Sequence, residues 1–265
     1  MTIQLALECP VPFLKDLIPQ TDFDFVLTHL VLSQPEYRDF YLGQRKLSNR
    51  VMILDNSTNE LGEPCSLEDI DKAACILDPD FVIPPDYLGD GYRTLTSISK
   101  GEAIWGRKKI IPVIQGSSLT EIMECYCALR DLDYSKVAVP YDIGLSRSVL
   151  KTTSLEYLGM NRNYYIQRMV SECGDLTDKD LHIHLLGLNS LTEVQFYTRN
   201  CPEVEGLDTG APFLNASAGL EFSKDSLMGK GVFINYNLKY GPKEFSHIKN
   251  LACKNIHYLE SLIGG

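Results

Sequence analysis

The chain has 265 residues, is 44% hydrophobic and carries a formal net charge of −10. That length buries a full core, and the acidic balance gives no support for general nucleic-acid affinity, which would need a local basic patch. No uninterrupted apolar run approaches the roughly 18 residues of a membrane span.

The first eight residues, MTIQLALE, lack a basic leader and a long apolar region, which argues against a signal peptide. Eight cysteines stand without a repeating spacing, and unpaired thiols suit a reducing cytoplasm.

In chain order, Ile3 to Leu7 and Phe23 to Leu32 read as strands from their apolar, β-branched and aromatic content. Pro35 to Arg50 reads as helix and then loop. Val51 to Leu54 is a strand that delivers Asp55 into polar company. Ser66-Leu67-Glu68-Asp69 resembles a capping box opening a helix through Leu77. Phe81 to Ile83 is a strand ending at Pro84-Pro85-Asp86, followed by a helix from Tyr92 to Trp105. Ile110 to Ile114 is a strand ending at Gln115-Gly116. Ser118 to Leu132 is a helix with Leu119, Ile122, Met123, Tyr126 and Leu129 on one face. Val137 to Val139 ends at Tyr141-Asp142, and a helix spans Tyr164 to Cys173. Leu181 to Leu186 ends at Gly187-Leu188, a short helix spans Leu191 to Thr198, and Val204 to Leu207 leads into Asp208. Phe213 to Asn237 reads as a loop-rich excursion before a closing C-terminal helix.

This alternation indicates parallel βαβ units. Eight of them predict an α/β fold, a closed (β/α)8 TIM-type barrel in one domain over residues 1–265. A doubly wound open sheet is the alternative, although the Gly-rich dinucleotide fingerprint is missing.

On such a barrel the strand-end residues Asp55, Asp86, Gln115, Asp142, Gly187 and Asp208 converge on one mouth. Several carboxylates at one rim raise one another's pKa and burden the fold, so binding or catalysis is the reason to keep them. Each Asp taken alone also suits a helix cap or an Asx turn. Two carboxylates flanking a sugar can carry out substitution at an anomeric carbon, one as nucleophile and one handling protons. Metal ligation is the competing use. His182 and His184 share a strand face, but with no third ligand nearby they read as a core or interface pair.

Five short motifs then stand in order: Leu54-Asp55-Asn56-Ser57, Pro79 through Asp86, Pro112-Val113-Ile114-Gln115-Gly116, His184 through Leu188, and Gly206-Leu207-Asp208-Thr209. Through them the stretch from Val51 to Ala216 resembles the tRNA-guanine transglycosylase family, most closely its compact phage and bacterial relatives that insert 7-deazaguanines into DNA. The resemblance implies exchange of guanine in a polynucleotide for a free 7-deazaguanine base such as preQ0, with no cofactor. It implies Asp208 as the nucleophile that holds a covalent glycosyl intermediate and Asp55 as the proton-handling partner. Asp86 and Gln115, with Gly116, would read the base, Gly187 and Leu188 would line its pocket, and Asp142 has no clear family role. The tRNA enzymes carry a C-terminal zinc site of three closely spaced cysteines and a histidine. Here Cys201 and Cys253 are isolated, so no metal and no zinc subdomain are expected, and DNA is favoured over tRNA as substrate.

The candidate phosphate contacts are Arg45, Lys46, Arg50, Arg107, Lys108 and Lys109. Tyr87, Tyr92 and Tyr141 follow strand ends, where aromatic rings stack on bases or pack at the rim. A separate protein partner for DNA access, host-cytoplasmic location if phage-encoded, a non-catalytic barrel subunit and a metal-dependent lyase or hydrolase complete the readings.

Overall fold

The structure is a computed structural model. It describes residues 2–141, 155–172, 182–188, 190–223, 234–236 and 239–264, with residues 155–161 as backbone alone. The strands are β1 (Gln4–Leu7), β2 (Asp24–Leu27), β3 (Met52–Asp55), β4 (Phe81–Val82), β5 (Lys136–Pro140), β6 (His182–Leu186) and β7 (Val204–Thr209). The helices in chain order are α1 (Leu14–Leu17), α2 (Thr28–Ser33), α3 (Pro35–Leu47), α4 (Thr58–Leu61), α5 (Leu67–Leu77), α6 (Gly91–Trp105), α7 (Leu119–Asp131), α8 (Leu155–Glu172), α9 (Leu191–Asn200), α10 (Ala211–Ser217) and α11 (Pro242–Ile263).

Short polar side chains set several helix starts. Ser66, Asp90, Ser118 and Ser190 each accept a hydrogen bond from the backbone N–H three residues on, which satisfies one orphan donor of the first turn. At α5 the Ser66 hydroxyl also donates to the Asp69 carboxylate at 2.9 Å. Helix α7 buries Ile122, Tyr126 and Leu129, while α11 buries Ile248, Leu251, Ile256 and Leu259. Each such side chain is worth about 1.5–3 kcal/mol.

All ladder pairing is parallel, but the expected closed (β/α)8 barrel is corrected. Among the described residues the strands form a four-stranded sheet, β1-β7-β6-β5, and a three-stranded sheet, β2-β3-β4. Two features stand at the breaks in the ladder. The predicted strand Ile110 to Ile114 makes only isolated bridges, Val82 with Ile110 and Val113 with Ala138, and Pro112 in its middle has no N–H to donate. At the other seam the Asp22 carboxylate accepts from the Leu5 N–H at 2.7 Å, in the place of a strand carbonyl.

The predicted strand Phe23 to Leu32 is also corrected, since it stops at Leu27 and turns into α2. The Thr28 hydroxyl donates to the Asp55 carbonyl at 2.6 Å, which ties this turn to the end of β3. Residues 213–217, expected as the start of a loop, lie in α10, which has Pro212 in its first turn. Among the described residues no helix is long and apolar enough to cross a membrane.

Candidate active site

The C-terminal ends of strands from both sheets meet around one cavity of ≈ 110 Å³. Glu8 follows β1, Asp55 ends β3, Asp86 follows β4 by a short turn, Gly187 follows β6 and Asp208 sits near the end of β7. Parallel pairing with short strand-end turns is what brings residues so distant in sequence to one wall.

Asp208 is held at both oxygens. His184 Nε2 lies 2.8 Å from Oδ1, and the Gly187 N–H donates to Oδ2 at 3.2 Å. Small residues make both contacts possible. A Cβ on Gly206 would lie 2.6 Å from His184 Nδ1, so only glycine leaves room for the imidazole. Gly187 has φ +69°, a left-handed conformation that glycine adopts without strain. Phe25 stacks on the His184 ring at 5.7 Å, with the planes 13° apart. Beneath this, the fully buried Arg162 pairs with Glu193 at 2.5 Å. It donates to the carbonyls of Leu186 and Gly187, both at 3.0 Å, and of Val139 at 3.2 Å. One guanidinium thereby braces the ends of β5 and β6.

The Ser57 N–H donates to Asp55 Oδ2 at 2.6 Å from a residue with φ +65°, an uncommon left-handed conformation outside glycine. Burial, and then the neighbouring Glu60, push the Asp55 carboxyl well above the usual range. Glu8 is raised in the same direction by burial and by Glu60, Asp208 and Asp55, and its Oε2 accepts from the Tyr236 hydroxyl at 3.2 Å. Glu60 is raised mainly by burial. Its Oε1 accepts from Asn59 at 3.1 Å, while the buried Oε2 has no hydrogen-bond partner among the described residues. Three carboxyls therefore favour their neutral forms beside Asp208, an arrangement that separates acid from nucleophile roles.

The other expected site residues are placed as follows. Asp86 lines the cavity, but Asn56 and Thr58 donate to its Oδ1 at 2.8 and 3.0 Å, and Gln115 donates to its Oδ2 at 2.6 Å. Gln115 is fully buried behind it, and its own carbonyl oxygen accepts from the Gly89 N–H at 3.1 Å. This Asp86–Gln115 pair braces the wall from within. Gly116 packs against α7, where a Cβ would lie 2.7 Å from the Ile122 nitrogen. Leu188 is half-buried beside Gly187, outside the cavity lining. Asp142 lies outside the described residues.

Sequence reasoning missed Glu8, Glu60 and Arg162. Glu8 carried the same signature as Asp55 and Asp208, an apolar strand followed by a carboxylate. Glu60 and Arg162 are helical and had no such signal. The two histidines divide: His184 is buried on Asp208, while His182 pairs with Glu205 at the opposite end of the strands. Among the described residues no group of three or more His, Cys, Asp or Glu has the geometry to hold a metal ion.

The basic runs are also away from the cavity. Arg50 bonds Asp24 at 3.0 Å and nearby carbonyls at the N-terminal ends of β2 and β3. Arg45 pairs with Asp80, Lys109 with Asp78 and Arg107 with Glu102. At the cavity's own end, Arg93 lies 3.6 Å over the Tyr87 ring and Tyr92 is 81% exposed.

No family model matches the chain, and no curated protein matches it. Among solved structures it is similar to the protein CitE from Mycobacterium tuberculosis, crystallised with magnesium, acetoacetate and coenzyme A. Identity is 8% and the TM-score 0.42, over 96% of this chain and 98% of that one. Membership of the tRNA-guanine transglycosylase family, expected from the five motifs, is therefore corrected. The motifs are short strand-end patterns that parallel α/β architecture produces by itself, an apolar strand and then a polar turn.

Proposed function

We propose that this chain is a base-exchanging glycosyltransferase that replaces guanine in DNA by a 7-deazaguanine base. One observation carries the reading: Asp208 is held at both oxygens while carboxyls that burial raises above their usual range, Glu8 and Asp55 among them, line the same cavity. Substitution at an anomeric carbon needs this division between a nucleophilic carboxylate and a proton-bearing partner. Asp208 attacks C1′, the C1′–N9 bond breaks and its electron pair leaves with the base. The incoming base reverses the sequence and frees Asp208.

Carboxyl oxygens with spare acceptor capacity, above all Glu60 Oε2, suit the N–H donors of a guanine edge. A cavity at strand ends cannot reach a stacked base, so the guanine is flipped out or single-stranded. The exposed Tyr92 and the Tyr87–Arg93 stack offer flat surfaces to neighbouring bases.

The test is nucleoside mass analysis of DNA and tRNA from cells expressing the chain alongside a 7-deazaguanine supply. A deazaguanine nucleoside in DNA supports the reading. Its appearance in tRNA alone moves the substrate to tRNA, and its absence from both removes the activity.

A further inference from the structure

We propose that Glu8, rather than Asp55, is the group that protonates the departing base and deprotonates the incoming one. This rests on the glycosyl-transfer reading above. The geometry separates the two acids. Asp55 ends a strand of the other sheet, β2-β3-β4, with Oδ2 held by the Ser57 N–H at 2.6 Å. Glu8 lines the same cavity, directly follows the strand that pairs with the one carrying Asp208, and has the Tyr236 hydroxyl at 3.2 Å on Oε2. Neighbouring buried carboxyls resist ionising together, and burial, with Glu60, Asp208 and Asp55 nearby, pushes the Glu8 carboxyl well above the usual range. Asp208, Asp55, Glu60 and Tyr236 face it, with Cys9 and Tyr37 close by. Its backbone N–H donates to the Thr209 carbonyl at 3.1 Å, which fixes it beside the strand that carries the nucleophile.

The step balances. As Asp208 bonds to C1′ and the C1′–N9 electron pair goes to the leaving guanine, that base takes the proton of Glu8. The Glu8 carboxylate then takes the proton from the incoming base, whose nitrogen displaces Asp208 from C1′. No net proton is consumed.

The experiment compares guanine with N7-methylguanine in an oligonucleotide, because the methylated base is already cationic and leaves without a proton. Glu8→Gln keeps the size and polarity of the side chain but cannot transfer a proton. The expected result is adduct formation slowed roughly 10²–10⁴-fold on guanine, a rate within a few-fold of the parent on N7-methylguanine, and loss of the rate decline at rising pH. Equal rates on guanine for parent and variant overturn the proposal, as does an equal loss on both substrates. If Glu8→Gln does not fold, Tyr236→Phe serves instead. Removing a donor to the Glu8 carboxylate shifts the alkaline decline to higher pH, and an unmoved profile overturns the proposal. A parent that forms an adduct with neither oligonucleotide removes the glycosyl-transfer reading, and this inference with it.

Discussion

His184 Nε2 stands 2.8 Å from Asp208 Oδ1, and the ring has no alternative place, with Phe25 stacked on one face and Gly206 against Nδ1. The imidazole therefore acts as an orienting donor to the proposed nucleophile. His184→Gln is expected to slow adduct formation about 10–150-fold, the equivalent of one hydrogen bond to a charged group, with less effect on binding of the free base. Single-turnover rates set beside calorimetric affinities check this. An unchanged rate would make His184 a packing residue.

Asp208→Asn is expected to leave the fold and base binding intact and to abolish exchange, because the amide is isosteric and a poor nucleophile. A denaturing gel should show a polynucleotide adduct with the parent and none with the variant. An adduct that survives means that another group attacks.

Asp86→Ala is expected to act mainly on stability. Its carboxylate satisfies Asn56, Thr58 and Gln115, and stranding buried partners costs about 1–3 kcal/mol each. Urea unfolding should show a loss of at least about 2 kcal/mol. A stability close to the parent's together with weakened base affinity would instead make Asp86 a direct ligand contact.

The carboxyl cluster makes a stability prediction with a defined sign. Glu8, Asp55 and Glu60 are raised in the folded protein, chiefly by burial. The folded state thus holds their protons more tightly than the unfolded chain, whose carboxyls titrate near about 4. Their stabilising contribution is full below that value and is lost as pH rises through the raised folded values. Glu60→Gln removes one of these groups and should flatten the fall in Tm with pH above about 4, with the variant gaining on the parent toward neutrality. A parent-like slope across that window would remove Glu60 from the coupled set.

Much of the local structure was legible from residue order alone. The capping residue of α5, the apolar faces of α7 and α11, the short apolar strands, and the carboxylates at the ends of β3 and β7 all depend on interactions within a few residues. Those same local patterns also produced two of the errors. Phe23 to Leu32 has the composition of one long strand, yet a hydroxyl bond from Thr28 to a carbonyl across the sheet ends it. The family resemblance had the same weakness, since strand-end motifs report architecture more than ancestry.

By itself, then, the sequence determined an alternation of parallel strands and helices with carboxylates at strand ends, because propensity, capping and turn chemistry act over short range. Tertiary structure alone decided that the strands divide into two sheets, because strand pairing at Pro112 and at Asp22 depends on partners distant in sequence. It also decided which carboxylates are saturated by neighbouring donors. Asp86 and Gln115 bond each other across 29 residues, and Arg162 braces strand ends 23 to 25 residues away. Burial, charge coupling and hydrogen-bond saturation are properties of the assembled cavity, and no single segment contains them.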